Sequence, residues 1–167
     1  MGKIGLRKLN GFIDKDLKKK IQGDLQNHLI FRESDIECCV YYHLRKFLRG
    51  DGKWRVVTRR YSRLAGGKYP DILIFRKEKP LIAIELKWWE RKRISKTDRK
   101  KLREYQKKIS AKKTFFVNVH YDLSSYKKLK KTRNEKYHLK EIIVDLGYPC
   151  KEDSKWRKEH DKYKKSL

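Results

Sequence analysis

The segment from Tyr69 to Trp89, YPDILIFRKEKPLIAIELKWW, constrains the fold more than any other part of the chain. Two runs rich in β-branched and aromatic residues, DILIF and LIAIELKWW, are separated only by the polar RKEKP. That break suits a hairpin reversal between two strands. A chain with such a hairpin must build a sheet around it. If Phe75 and Leu81 flank the reversal, pairing is symmetric about Glu78, and Asp71 stands opposite Glu85. Alternation then places Ala83, Glu85 and Lys87 on one face and Ile82, Ile84 and Leu86 on the other. One face is expected to be core and the other to carry charge.

Two carboxylates directly opposite each other on a hairpin repel by roughly a few tenths to 1 kcal/mol. Something cationic should therefore sit between them. A divalent ion of the Mg²⁺ or Mn²⁺ type prefers carboxylate oxygens and completes its shell with water. Lys87, two residues beyond Glu85 on the same face, is placed to orient or activate a water and to offset charge on a phosphate. The arrangement points to phosphodiester hydrolysis. The alternative is that Asp71 and Glu85 form ordinary salt bridges with Lys87 and neighbouring bases on a solvated face.

The rest of the chain supplies partners for this hairpin. Ile13, Leu17, Ile21 and Leu25 recur every fourth residue within 12–30 and predict a helix. Ile36, Val40, Leu44 and Phe47 predict a second, starting at an N-cap-like Ser34 and stopping at RGDGK. KWRVVTRRYS reads as a strand, LAGGKYP as a loop, TDRKKLREYQKKI as a helix with Leu102, Tyr105 and Ile109 on one face, and KTFFVNVHYDL as a strand. SSYKKLKKTRNEKYHLK reads as a basic helix, EIIVDLG as a last strand, and the charged C-terminal segment as a further helix. At 167 residues the chain suits one mixed α/β domain spanning 1–167.

Charge decides the kind of partner. There are 47 Lys and Arg against 21 Asp and Glu, a net charge of +26, spread in clusters rather than confined to a tail. Such an excess favours a polyanion, and nucleic acid is the expected one. Arg59, Arg60, Arg63 and Lys68 precede the hairpin and Arg91, Lys92 and Arg93 follow it, so these are the candidate phosphate contacts. The wealth of lysine alone would fit a hot habitat, but heat does not explain the imbalance of sign. No run approaches the roughly 20 apolar residues of a membrane span, and MGKIGLRKLNGF lacks the core of a secretion signal, so an intracellular, cytoplasmic protein is expected. The three cysteines match neither a disulfide framework nor a CxxC site and read as buried thiols. No histidine pair has ligand spacing, and no GxxxxGK[ST] phosphate loop is present.

Pro70-Asp71 followed by Glu85-Leu86-Lys87 resembles the signature of the PD-(D/E)XK nuclease superfamily, which includes restriction endonucleases, Holliday junction resolvases and repair exonucleases. The likeness covers a little over half the chain, because helix, three-stranded meander, helix and strand over 33–120 are similar in order to that superfamily's αβββαβ core. The resemblance implies a restriction endonuclease-like mixed sheet flanked by helices, with 1–32 an added N-terminal helical extension and 121–167 a basic C-terminal extension carrying a further strand. It implies Asp71 and Glu85 as metal ligands, Lys87 as the catalytic lysine and Mg²⁺ or Mn²⁺ as cofactor. The family's additional helical acid falls on Glu37, through the match of Glu37, Val40 and Leu44 to ExxVxxxL, with Glu33 in reserve; a Ser34–Glu37 capping box competes for Glu37. Gln106 matches a glutamine that some members carry on the next helix. The implied activity is a Mg²⁺-dependent deoxyribonuclease, most simply an endonuclease on double-stranded DNA working as a homodimer. Junction resolution is the nearest alternative, and a non-catalytic, DNA-coating protein is the alternative of another class.

Overall fold

The hydrophobic periodicities translate into a five-stranded sheet with helices on both faces. The computed structural model describes residues 4–58, 69–88, 95–120, 139–144 and 155–166. In chain order these form α1 (Leu6–Gly11), a π-helical turn (Phe12–Asp16), α2 (Leu17–Gln26), α3 (Glu33–Leu48), β1 (Trp54–Thr58), β2 (Ile72–Arg76), β3 (Lys79–Trp88), α4 (Lys96–Lys108), β4 (Lys113–Val119), β5 (Leu139–Val144) and α5 (Lys155–Lys165). Strand order in the sheet is β1-β2-β3-β4-β5. The first three strands form an antiparallel meander, whereas β3, β4 and β5 run parallel. A chain can return to a parallel neighbour only through a crossover, and α4 supplies it between β3 and β4.

The first helical stripe begins earlier than its periodicity suggests. Leu9 extends it toward the N-terminus, and Leu9, Ile13, Leu17, Ile21 and Leu25 are fully buried. They join Ile36, Val40 and Leu44 of α3 and Ile72, Ile74, Ile82, Ile84 and Leu86 of the hairpin in one core. The N-terminal helices are thus built into the main core. Their start is pinned where the Ile4 amide donates to Asp51 and the Trp54 indole donates to the Ile4 carbonyl, at 2.9 and 3.0 Å. An Asp14–Lys140 ion pair ties the π-helical turn to β5.

The helix starts are set by specific caps. Asp35 accepts from the Phe31 and Arg32 amides at 2.9 and 3.1 Å, so α3 begins at Glu33 rather than after Ser34. The expected Ser34–Glu37 box is therefore displaced by two residues, to Arg32 and Asp35, and does not claim Glu37. Gly50, at φ 89°, lies just past the end of α3, where the left-handed conformation favours glycine. Ser95 caps α4, accepting from the Asp98 amide at 3.0 Å.

The alternative of a solvated, salt-bridged face does not hold, because α4 covers the face of the hairpin bearing Asp71 and Glu85. Leu73, Phe75, Ala83 and Phe116 pack there against Leu102, Tyr105 and Ile109 in a second core. Two further corrections are local. Adjacent residues on a helix point about 100° apart, and Ile36 and Val40 take the inward positions of α3, which leaves Cys38 exposed and Cys39 half-buried. Burial and the nearby Asp24 carboxylate push the Cys39 thiol up to about 12. Among the described residues, no helix is long and apolar enough to cross a membrane.

Candidate active site

The hairpin register decides which acids meet. Ile72 pairs with Ile84, Leu73 with Ala83 and Ile74 with Ile82, and one further rung of the same pairing sets Asp71 opposite Glu85. The reversal itself differs from a symmetric one. A shift after Ile74 pairs Phe75 with Pro80 and Arg76 with Lys79, leaving Lys77 and Glu78 as a two-residue turn with φ of 49° and 62°. This bulge absorbs the odd residue near the turn, so the register at Asp71 is unaffected.

Asp71 and Glu85 are 1% and 2% exposed. Asp71 Oδ2 accepts the Leu86 amide at 2.6 Å, which draws its carboxylate against the end of β3. Glu85 Oε1 lies 3.2 Å from Lys101 Nζ, and its Oε2 accepts from the Tyr105 hydroxyl at 3.3 Å. Lys101 and Tyr105 are one helical turn apart on α4 and so present to the same spot. On the same face as Glu85, Lys87 Nζ donates to the Glu33 carboxylate at 3.3 and 3.5 Å. Asn118, 1% exposed, is the β4 partner of Lys87. These groups gather at the carboxyl ends of parallel strands β3 and β4, where open α/β sheets place their ligand sites.

The electrostatics follow from burial. Loss of solvent, then the neighbouring Asp71 charge, pushes Glu85 up to about 7 against the opposing pull of Lys101 and Lys87. Near neutral pH this site therefore holds less negative charge than two exposed acids would. For Lys87 burial acts to lower the pKa, but Glu33, Glu85 and Asp71 together outweigh it and hold the amine above its ordinary value. Lys87 is a cation with hydrogen bonds to give.

The donor chemistry suits a hard divalent ion. Asp71 and Glu85 present carboxylate oxygens, and Mg²⁺ is commonly held through one or two carboxylates with water and substrate phosphate completing the shell. Among the described residues no three His, Cys, Asp or Glu side chains form a metal-binding group, so the fit rests on two side-chain ligands. The residues that the sequence singles out are otherwise distributed as follows. Glu33, the reserve acid, contacts Lys87, and Glu37 follows one turn later on α3. Gln106 donates to Thr114 at 2.9 Å, a contact between α4 and β4. Trp88 is half-buried against the larger core. Arg59, Arg60, Arg63, Lys68, Arg91, Lys92 and Arg93 lie outside the described residues, as do Gly66, Gly67, Trp89 and the basic segment 124–138.

Lys101, Tyr105 and Asn118 were not legible as site residues. Tyr105 falls on the apolar stripe of its helix, and Lys101 is one lysine among many. A signal was available in their spacing of four on the helix that returns from the Glu85 strand. No family model, no curated protein and no solved structure matches this chain.

Proposed function

We propose that this chain is a metal-dependent DNA endonuclease of the PD-(D/E)XK kind, hydrolysing phosphodiester bonds at Asp71, Glu85 and Lys87. The observation that carries the reading is the pair of almost fully buried carboxylates, Asp71 and Glu85, side by side at the carboxyl end of β3 with Lys87 on the same face. Burying a carboxylate costs several kcal/mol, and a second one beside it adds repulsion. A sheet with nothing to bind there would gain nothing from a second buried carboxylate beside the first.

Asp71 and Glu85 would hold Mg²⁺ or Mn²⁺, which supplies positive charge to polarise the scissile phosphate and to acidify a water. The protein's own groups position the reaction. The Leu86 amide and Tyr105 hydroxyl fix the orientation of the two carboxylates. Lys87, cationic and steadied by Glu33, donates hydrogen bonds to the attacking water or to phosphate oxygens as negative charge builds there. Glu33 takes the part of the helical acid in preference to Glu37. Lys101 offsets the charge of Glu85. Cutting both strands with one centre per chain calls for two copies, so the working form is a homodimer.

A second reading has an observation of its own. The Lys101–Glu85 and Lys87–Glu33 pairs give each partner a counter-charge from within the chain, which a non-catalytic, DNA-coating protein would also need. End-labelled linear duplex and four-way junction DNA, incubated in Mg²⁺ with wild type and Glu85→Ala, separates the readings. Cleavage by wild type alone supports the nuclease, and preference for the junction makes it a resolvase. Equal binding with no cleavage by either protein leaves the coating function.

A further inference from the structure

The C-terminal helix α5 has two unlike faces. His160 is 1% exposed and stacks on Phe31 with ring centroids 4.6 Å apart. The His28 ring lies 5.8 Å from that of His160, and His28 Nε2 reaches Glu159 at 3.5 Å. These contacts dock α5 on the turn that leads into α3. Phe31 is two residues before Glu33, the partner of Lys87, so the docked helix is joined to the rim of the candidate site.

The outer face is basic. Lys155, Lys158, Lys162 and Lys165 follow one another at spacings of three, four and three, which places them on one stripe of the helix, and all four are exposed. Lys158 and Lys162 are each two residues from His160, about 200° around the axis, so the stripe points away from the docked face. The helix's two acids neutralise only part of it: Glu159 reaches His28 and lies 3.8 Å from Lys155, and the exposed Asp161 is three residues from Lys158 and four from Lys165, so four lysines against two acids leave the stripe positive. Ten residues of helix carry the stripe over about 15 Å, alongside roughly four phosphates of one strand. A helix that lay on a membrane would show apolar groups between its lysines, and this stripe has four lysines in succession.

We infer that α5 is a nucleic-acid-binding element, its stripe of Lys158, Lys162 and Lys165, continued by Lys155, running along the phosphate backbone of DNA beside the Asp71–Glu85 site. The dock through His160 and Phe31 gives that stripe a set orientation relative to α3, as a freely tethered tail would not have. The inference concerns the partner of the surface next to the site. It requires only that DNA binds, so it stands or falls separately from the hydrolytic reading above.

The test is the salt dependence of binding to a labelled duplex, measured without divalent metal on a Glu85→Gln background so that cleavage plays no part. Lys158→Gln, Lys162→Gln and Lys165→Gln together should lower the magnitude of the slope of log K against log salt by about 2 to 3, at roughly 0.9 per lost phosphate contact. A control with Lys15, Lys19 and Lys20, exposed on the N-terminal helices, changed to Gln should leave the slope nearly unchanged. All six side chains are exposed, so both variants should fold. An unchanged slope in the α5 variant overturns the inference, and so does an equal fall in both variants, which would mean that net charge alone is read. Loss of binding to phosphatidylserine vesicles with the DNA slope intact overturns it in favour of a membrane. If neither Glu85 form ever cuts DNA but the slopes differ as stated, the hydrolytic reading falls and the α5 inference stands.

Discussion

Replacing Glu85 by Gln should stabilise the protein at pH 8 far more than at pH 5. Burial and Asp71 raise the folded-state pKa of Glu85 from 4.5 to about 7, so between those values the folded chain binds more protons than the unfolded one. Stability from this group is present below about 4.5 and is lost as pH rises toward 7. Integrating one proton with these two pKa values gives a loss of about 2.5 kcal/mol between pH 5 and pH 8. Gln keeps the shape and one acceptor oxygen, for Tyr105 or for Lys101, but has no charge to bury. The difference in stability between Glu85→Gln and wild type should therefore grow by about 2.5 kcal/mol from pH 5 to pH 8, and the titrations of groups that do not interact with Glu85 cancel in that comparison. In a domain of this size the change corresponds to a gap in Tm about 5 to 10 °C wider at pH 8. Urea or thermal unfolding of both proteins at the two pH values measures it. Millimolar Mg²⁺ should raise the wild-type Tm at pH 8 and leave that of Glu85→Gln unmoved, since an ion bound only by the folded state stabilises it by mass action. A stability gap equal at both pH values would refute the reasoning, because it would mean that Lys101 keeps Glu85 ionised at no net cost throughout.

Three other outcomes follow from the same geometry. Glu33→Gln should reduce cleavage more than Glu37→Gln does, because Glu33 is the acid that steadies Lys87; comparing the two turnover rates under saturating Mg²⁺ checks the choice. Asp71→Ala should destabilise the fold by about 1 to 3 kcal/mol in chemical unfolding by leaving the Leu86 amide without its acceptor, in addition to abolishing cleavage. Lys77→Asn with Glu78→Gly should stabilise the hairpin by about 1 kcal/mol, since both positions hold positive φ that Asn-Gly adopts readily, while the exposed Arg55–Glu78 pair contributes little; a fall in Tm would contradict the turn geometry.

Much of the fold was legible because it is written in local periodicity. The spacing of Ile13, Leu17, Ile21 and Leu25 determined a buried helical stripe, and alternation along Ile82 to Lys87 determined which side chains share a face. The hairpin register at Asp71 and Glu85 was legible for the same reason: a slip of one residue would turn Ile72, Ile74, Ile82 and Ile84 away from the core. The position of the turn was less so, because a bulge after Ile74 shifts the reversal without disturbing the apolar pattern.

What only the tertiary structure decided are relations between elements far apart in the chain. That α4 covers the charged face, and so makes Asp71 and Glu85 buried acids instead of solvated ones, depends on how a crossover helix packs back on its sheet. That Glu33 reaches Lys87 depends on where α3 begins, and Asp35 set that start by capturing two amides ahead of it. The contacts of Lys101 and Tyr105 with Glu85, and of His160 with Phe31, join residues with no common period in the sequence. Periodicity determines which face of a helix or strand is apolar. Packing decides what that face meets, and at this site it sets the solvation, and hence the charge, of the carboxylates.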